Sequence, residues 1–559
     1  MHRRVPRKAE APVQPSLIFR GRLNEGLLMT PDQLSNRVRR VNVGDIVRRG
    51  ARRHRDKTAV VMGRTRLTYG EFEAETNRIA HGLLAAGLGN GARIGALGRN
   101  SLELFTLYFA AAKAGAVFCP SNPALPDADL VHVLRHAEVS AIFVDSERHE
   151  RFTQIASQVP TLSRIYSIGE RSDGRDFANP FALLSEGQPS TDPETAVGDR
   201  DIAIIMYTSG TTSAPKGAML SHTNVTTGAV HNAFACEFDD HSVATAILPL
   251  FHCGQLSISS GTLARGGTVV IFDGFDADAL LEAVPKERIT WMFALPTMYR
   301  ALLAHEGLDA TDLSSLGFCL YAMAPMDSST LREASRRLGA RFALTSGQTE
   351  AYPPTVVFAP EYQLTKEGAY WGRAMPLVEL AIMADDGSLI EDGGVGEIVY
   401  RGPMVMEGYY KDPEATARAF EGGWFHSGDL GRMDQDSMLL FVDRKKDIVK
   451  SGGENVSSVK VESCLLAHPA IRTAAIFGVP HPQWNEAVVA AVSLLPGAVV
   501  SEEELILFCK QNLAPFEVPK KIVFCAELPQ TATGKLQKFR LRQEFGDLFL
   551  RNESQRAPT

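Results

Sequence analysis

Tyr207-Thr208-Ser209-Gly210-Thr211-Thr212-Ser213-Ala214-Pro215-Lys216-Gly217 follows the apolar run Ile202-Ala203-Ile204-Ile205-Met206, so a buried strand empties into a hydroxyl-rich loop. The hydroxyls of Thr208, Ser209, Thr211, Thr212 and Ser213 can donate to phosphate oxygens. Gly210 and Gly217 let the backbone come close, and Lys216 supplies a point charge. The reading is an anion cradle, with ATP its first candidate ligand. The ordinary P-loop has glycine directly before its lysine and Ser or Thr directly after it, whereas here Pro215 and Gly217 take those places. A Ser/Thr/Gly surface turn would share this composition, so the rest of the chain decides.

Outward from that loop, helix and strand signals alternate. Thr68 and Glu71 have capping-box spacing, Phe72, Ile79 and Leu83 recur on one helical face, and Gly87 offers a stop. A strand at Arg93 to Leu97, a helix from Ser101 to about Ala114, the apolar Ala116 to Cys119, a helix from Asp127 to His136 and a strand at Ala141 to Val144 follow. The pattern predicts an α/β fold with mostly parallel sheets, resumed at Ile202 to Met206, Ala244 to Leu248, Thr268 to Phe272, Trp291 to Ala294 and Gly317 to Tyr321. Glu397 to Tyr400 and Met438 to Val442 read as short strands of a β subdomain. After Lys446 a small α+β unit is expected, with helices near Val459 to His468 and Glu502 to Leu513 and strands at Thr473 to Gly478, Ala487 to Leu494 and Ile522 to Cys525. The expected division is an extension over residues 1–42, a large domain over 43–445 and a small domain over 446–559.

At 559 residues the chain exceeds one hydrophobic core. With 45% hydrophobic and 22% charged residues and a net charge of -7, nothing in the average calls for nucleic acid or an anionic membrane. Cys119, Cys236, Cys253, Cys319, Cys464, Cys509 and Cys525 lack paired spacing, which argues against a zinc site or disulfide framework and fits a reducing cytoplasm. No apolar run approaches the roughly 18 residues of a membrane span, so membrane contact is expected to be peripheral at most. The arginines of the first 55 residues, from Arg3 to Arg55, are interrupted by Glu10, Glu25 and Asp32 and read as a partly ordered, solvated extension.

Five separated segments together resemble the adenylate-forming superfamily, which contains acyl-CoA synthetases, adenylation domains of peptide synthetases and beetle luciferases. They are Tyr207 to Gly217; Ser346-Gly347-Gln348-Thr349-Glu350; Gly423-Trp424-Phe425-His426-Ser427-Gly428-Asp429; Arg444-Lys445-Lys446-Asp447 leading to Ser451-Gly452-Gly453-Glu454-Asn455; and Leu528-Pro529-Gln530-Thr531-Ala532-Thr533-Gly534-Lys535. The resemblance covers roughly residues 45 to 545 and is closest to fatty acyl-CoA synthetases. A carboxylate is a poor electrophile until one oxygen becomes a good leaving group, and transfer of AMP supplies it. An anionic nucleophile must then approach a triphosphate, which demands positioned cations and donors.

What the resemblance implies is an ATP-dependent carboxylate:CoA ligase with ATP, magnesium and coenzyme A as its small-molecule partners. Glu350 is the implied magnesium ligand, helped by Thr349, and Lys535 the bridge between substrate carboxylate and α-phosphate. Asp429 is to hold the ribose hydroxyls, with Arg444 near ribose and phosphate; Ala324, Pro325, Ser346, Gly347 and Gln348 complete the nucleotide site. His252 resembles the aromatic gate beside the carboxylate. Ala322, Met323 and Gly347 border the acyl pocket, and Trp291 to Tyr299 is its expected wall, although core packing would demand the same stripe. Lys446 matches the hinge of a mobile C-terminal lid, whose rotation would withdraw Lys535 and bring Ser451, Gly452 and Gly453 to a thiol tunnel.

Ser213 stands where the family loop has glycine, Met323 lies in a segment that is Gly-Gly-Ala-Pro or Gly-Ala-Ala-Pro elsewhere, and Ser346 replaces the aromatic residue that stacks on adenine, a role Tyr352 could take over. Ser457-Ser458-Val459-Lys460 also departs from the usual Tyr-Pro-x-Glu. The leading expectation is a medium- or long-chain fatty acid as substrate, from the flavour of Pro403 to Tyr410. Alternatives are an enzyme that loads an acyl or aryl acid onto an acyl or peptidyl carrier protein, and a weakly active ligand-binding homologue. A monomer or homodimer is expected.

Overall fold

The computed structural model describes residues 38–169, 179–208, 215–322, 326–530 and 536–549. A large mixed α/β domain holds two sheets, and a small α+β domain follows it. Among the described residues the first sheet has thirteen strands. Its centre is parallel, with Phe318–Tyr321 between Trp291–Phe293 and Arg341–Gln348. From Arg341–Gln348 onward the pairing turns antiparallel, through Ala351–Phe358 and Tyr370–Ala374 to Leu439–Arg444, Phe425–Met433, Gly396–Arg401 and Glu379–Met383. The short strands read from sequence therefore join the large sheet through Tyr370–Ala374.

The second sheet, of eight described strands, carries the loop that opened the sequence reading. Ile202–Thr208 pairs antiparallel with Lys216–Ser221, matching Tyr207 with Gly217 and Thr208 with Lys216. Strand, loop and returning strand form a hairpin, and the next helix, His222–Ala235, begins only after Ser221 caps it with a reciprocal Asn224 box. A P-loop instead feeds a helix whose dipole faces the phosphate, so here hydroxyls, loop amides and Lys216 would have to serve an anion without that dipole. Residues 209–214 of the loop lie outside the described residues.

Local signals explain most helices. Thr68 and Glu71 form the capping box of Tyr69–Ala85, and Gly87 beyond it has φ +73°, where a side chain would be strained. Its inner face meets Leu102–Ala114 through Phe72, Phe105 and Phe109, with ring centroids 5.2 to 5.9 Å apart. Such aromatic pairs contribute about 0.5–1.5 kcal/mol each beyond their burial. Lys113, 0% exposed within that apolar helix, is met by Glu73 at 2.7 Å and by Asn77. Removing one partner of such a pair costs about 3–5 kcal/mol.

The small domain is built on a five-stranded sheet centred on Ile471–His481 and Asn485–Leu494, with Lys521–Phe524 added in parallel. Helices Ser458–Leu466, Glu502–Asn512 and Lys538–Phe545 flank it. At the start of the described chain, Asn42 donates to the Ala112 carbonyl and the Val43 amide to His222.

Candidate active site

Three chain segments converge on Glu350, at the turn between Arg341–Gln348 and Ala351–Phe358. Its Oε1 accepts hydrogen bonds from Thr208 Oγ1 at 3.3 Å and from the Tyr409 hydroxyl at 3.1 Å. Its backbone carbonyl receives the Met406 amide at 2.8 Å. The short strand Gly408–Tyr409 is itself held against Lys216–Ser221, and Lys216 Nζ lies 5.0 Å from the centre of the Tyr409 ring. Burial, then the Glu350 charge, raise the Tyr409 phenol well above its ordinary range, so it stays a donor. Among the described residues both donors use the same oxygen. Sequence reasoning missed Tyr409: it stood in the quoted Pro403 to Tyr410 but was read as a marker of acyl type. Met404 and Met406 of that segment are core residues.

A second cluster forms where Phe425–Met433 meets Leu439–Arg444. Asp429 and Arg444 are register partners, with Arg444 Nε 3.6 Å from Asp429 Oδ1. Gln348 Nε2 donates to Asp429 Oδ2 at 3.3 Å and to the Ser427 carbonyl at 3.0 Å, and Ser427 Oγ receives the Asp429 amide. Asp429 is only 6% exposed, so its carboxylate is oriented by its neighbours before any ligand arrives. Behind it, Glu397 takes the Gly428 amide, Lys445 and His426. Burial opposes the Glu397 charge, but these hydrogen bonds hold its carboxyl below the usual range.

The expected acyl side lies at the start of helix Cys253–Ala264. His252 caps it, its Nδ1 accepting the Gly254 amide at 3.4 Å. Cys253 Sγ stands 3.7 Å from that nitrogen and 3.5 Å from Thr349 Oγ1, and burial pushes its thiol up to about 12. His252, Thr349 and Glu350 are thereby brought into one neighbourhood. At Gly254 an added Cβ would lie 3.7 Å from Phe293 and 3.8 Å from His252, in ordinary contact with both rings. Sequence reasoning passed over it, as one glycine among many. Gly347 has another reason to be glycine: a Cβ there would come within 2.7 Å of Pro353.

Of the expected pocket wall, Trp291, Met292 and Tyr299 are core, with Tyr299 bonded to the Met292 and Leu320 carbonyls, while Phe293 also approaches Gly254. Ala322 and Ser346 are half-buried, and the Ser346 carbonyl receives Thr355 Oγ1. Tyr352 does not replace the missing adenine-stacking ring. It is fully buried against Gly228, where a Cβ would meet its ring at 2.3 Å. Ser209, Gly210, Thr211, Thr212, Ser213, Met323, Ala324, Pro325 and Lys535 lie outside the described residues.

On the small-domain side, Ser451 to Glu454 forms a hairpin turn with φ +62° at Gly452 and +89° at Gly453, conformations suited to glycine. The Gly452 amide donates to the Trp484 carbonyl, and Trp484 stacks on His481 at 4.3 Å. Lys446, the expected hinge, follows the last strand of the large sheet, and its carbonyl accepts from Arg542 at 3.3 Å.

An oriented carboxylate beside the phosphate hairpin, and another beside the last large-sheet ladder, make a nucleotide-binding enzyme the class that fold and site define. Residues 47–410 match the family described as AMP-binding enzyme, and residues 460–535 its C-terminal domain; the chain belongs to this family of AMP-binding enzymes. It is 36% identical over 512 residues to a feruloyl-CoA synthase of an Amycolatopsis species, covering 91% of this chain and 100% of that one. To an indoleacetate–CoA ligase of Aromatoleum aromaticum it is 33% identical, over 87% of this chain and 95% of that one. Among solved structures, MatB of Rhodopseudomonas palustris is 29% identical over 91% of this chain and 100% of its own. The ATP-bound form gives a TM-score of 0.82 and the apo form 0.72. The protein is accordingly an ATP-dependent, AMP-forming acid–thiol ligase that makes an acyl adenylate and then its CoA thioester. These relatives are not fatty acyl-CoA synthetases, so the closeness to that group expected from sequence has no specific support. Among the described residues no helix is long and apolar enough to cross a membrane.

Proposed function

We propose that the acid activated here carries an aromatic ring. The observation that carries this reading is the pair of rings, His252 and Phe293, that flank Gly254, each at ordinary contact distance from where a Cβ would stand. Aromatic side chains at such a position suit an acid that presents a ring of its own. The names of the feruloyl- and indoleacetate-activating relatives support the same reading. Pro403 to Tyr410, the origin of the aliphatic expectation, buries its methionines in the core instead.

In the proposed reaction the substrate carboxylate lies beside His252 and attacks the α-phosphorus of ATP, and pyrophosphate leaves. Lys216 and the hairpin hydroxyls hold phosphate oxygens, Asp429 orients the ribose with Arg444 beside it, and Lys535 bridges carboxylate and α-phosphate. The donors at Glu350 and Thr349 are hard oxygens, and among the described residues no group of three or more His, Cys, Asp or Glu gathers. That set fits magnesium, which takes one or two protein carboxylates and completes its shell with phosphates and water; when bound it neutralises phosphate charge. The small domain then turns about Lys446, withdrawing Lys535 and bringing Ser451, Gly452 and Gly453 toward the thiol of CoA.

The test is pyrophosphate release over hydroxycinnamic acids, arylacetic acids and C4 to C12 fatty acids, repeated with Gly254→Leu. Aryl acids should lead in the native enzyme. The substitution should lower their kcat/KM by roughly tenfold or more, as a leucine side chain beside His252 and Phe293 displaces several methylene equivalents of contact with a bulky acid, and should spare butyrate. A preference for C8 to C12 acids that Gly254→Leu leaves unchanged would refute the aromatic reading.

A further inference from the structure

Asp443 closes the large sheet one residue before Arg444, and its carboxylate reaches across the hinge position. It receives the Ser458 amide and, at 3.0 Å, the Ser458 hydroxyl; it is 1% exposed and Ser458 fully buried. Ser457 Oγ donates to the Val442 carbonyl at 2.9 Å beside them. On the far side Lys538 Nζ donates to Ser458 Oγ at 2.6 Å and pairs with Glu462 at 2.7 Å. Lys538 opens the helix Lys538–Phe545, three residues after Lys535. One turn further along that helix, Arg542 holds Asp447 at 2.8 Å and the Lys446 carbonyl.

We propose that Asp443, Ser458 and Lys538 form a latch that holds the small domain in the pose for acyl-adenylate formation, making Ser458 a positioning residue for Lys535. The latch rests on the two-pose reading of the proposed function. Residues 442 and 443 lie before Lys446, and 457, 458 and 538 after it. A turn at Lys446 must therefore break the Ser457 and Ser458 bonds to the large sheet, while the Lys538–Ser458, Lys538–Glu462 and Arg542–Asp447 contacts travel with the small domain. Breaking them takes both Ser458 donors from a buried carboxylate and leaves it the Arg444 amide at 2.7 Å, which biases the equilibrium toward the latched pose by roughly tenfold or more. The pose fits this assignment, being nearer to ATP-bound than to apo MatB. The Ser-Ser sequence that departs from Tyr-Pro thereby acquires a purpose, since Ser457 caps helix Ser458–Leu466 and Ser458 supplies amide and hydroxyl to one carboxylate.

The experiment separates the half-reactions in the full chain, using single-turnover pyrophosphate release without CoA, and thioester formation from chemically synthesised acyl-AMP. Ser458→Ala and Asp443→Asn should each slow the first roughly tenfold and leave the second unchanged or faster, and the double variant should be no worse than the singles. Equal slowing of both, or additive losses, would mark the cluster as structural and overturn the latch. Lys535→Ala is run alongside. If it abolishes adenylation while the Ser458 and Asp443 variants behave like the native enzyme, the latch alone falls. If Lys535→Ala leaves adenylation intact, the latch falls together with the two-pose reading.

Discussion

Asp429 and Arg444 face each other across the antiparallel ladder that ends the large sheet, their Cα atoms in register and the guanidinium 3.6 Å from the carboxylate. With Gln348 as a further donor, the carboxylate is oriented in advance, an arrangement that suits the proposed acceptance of two ribose hydroxyls. Asp429→Asn should raise KM for ATP by roughly tenfold or more, the effect of losing charge-assisted hydrogen bonds, and change KM for the acid much less. Initial rates with ATP and with 2′-deoxy-ATP check the assignment: the substitution should cost less with the deoxynucleotide, and an equal penalty on both would take Asp429 off the ribose.

The Tyr409 hydroxyl donates to Glu350, while its ring faces Lys216 and is kept by a Phe substitution. Tyr409→Phe should lower kcat/KM for ATP by roughly tenfold, the worth of one hydrogen bond to a charged group, and Glu350→Gln by about a hundredfold or more through weakened metal and phosphate binding. In steady-state assays the double variant should match Glu350→Gln alone, since the two residues share one function. Losses that multiply would give Tyr409 a separate role.

If Lys446 is the hinge proposed above, Lys446→Pro should slow thioester formation roughly tenfold or more while acyl-AMP formation stays within about twofold, because a locked φ hinders rotation without touching the hydroxyl-rich hairpin. Lys535→Ala should give the opposite pattern, losing adenylation and retaining CoA transfer from preformed acyl-AMP. Single-turnover measurements of the two steps decide, and matching losses in both steps for either variant would contradict the assignment.

His222, buried at the start of its helix, accepts the Val43 amide on Nδ1. Burial, then the nearby Arg40 charge, lowers its pKa to about 3. The unfolded chain, with an ordinary histidine near 6.5, binds the proton first. Stability is therefore full above that value and declines as pH falls toward 3, by at most about 1.4 kcal/mol per pH unit. Thermal midpoints between pH 7 and 4 should fall less steeply for His222→Gln than for the native protein. Parallel curves would assign the acid sensitivity elsewhere.

Much of this was legible in sequence where the determinants are local. The Thr68–Glu71 box, the Gly87 stop and the helix Asp127–His136 depend on neighbours a few residues apart and stand where expected. The site itself resisted a period-two reading because its ladders slip. Pairing shifts between Ser346 and Gln348 and again between Leu430 and Gly431, beside the residues that matter. Alternation counted across such a bulge puts side chains on the wrong face, and nothing local told that Tyr352 would turn into the core against Gly228. Tyr409 and Glu350 are 59 residues apart, and Asp443 and Ser458 stand on opposite sides of the hinge, so only the folded chain reveals those pairings.

Glu350 lies in the turn that joins two strands of the thirteen-stranded sheet, whereas Thr208 and Tyr409, which share its Oε1, belong to the eight-stranded one. One carboxylate oxygen is thus a rivet between two sheets, driven through three points spread over about two hundred residues of sequence. Recombination between this protein and a relative will feel it. A crossover between residues 208 and 409 draws parts of the rivet from different parents, while one beyond residue 410 leaves it whole. Heritable novelty in this molecule should come most readily from exchanging the chain beyond that point, or from single changes such as those at Gly254, and least readily from trading one sheet for another.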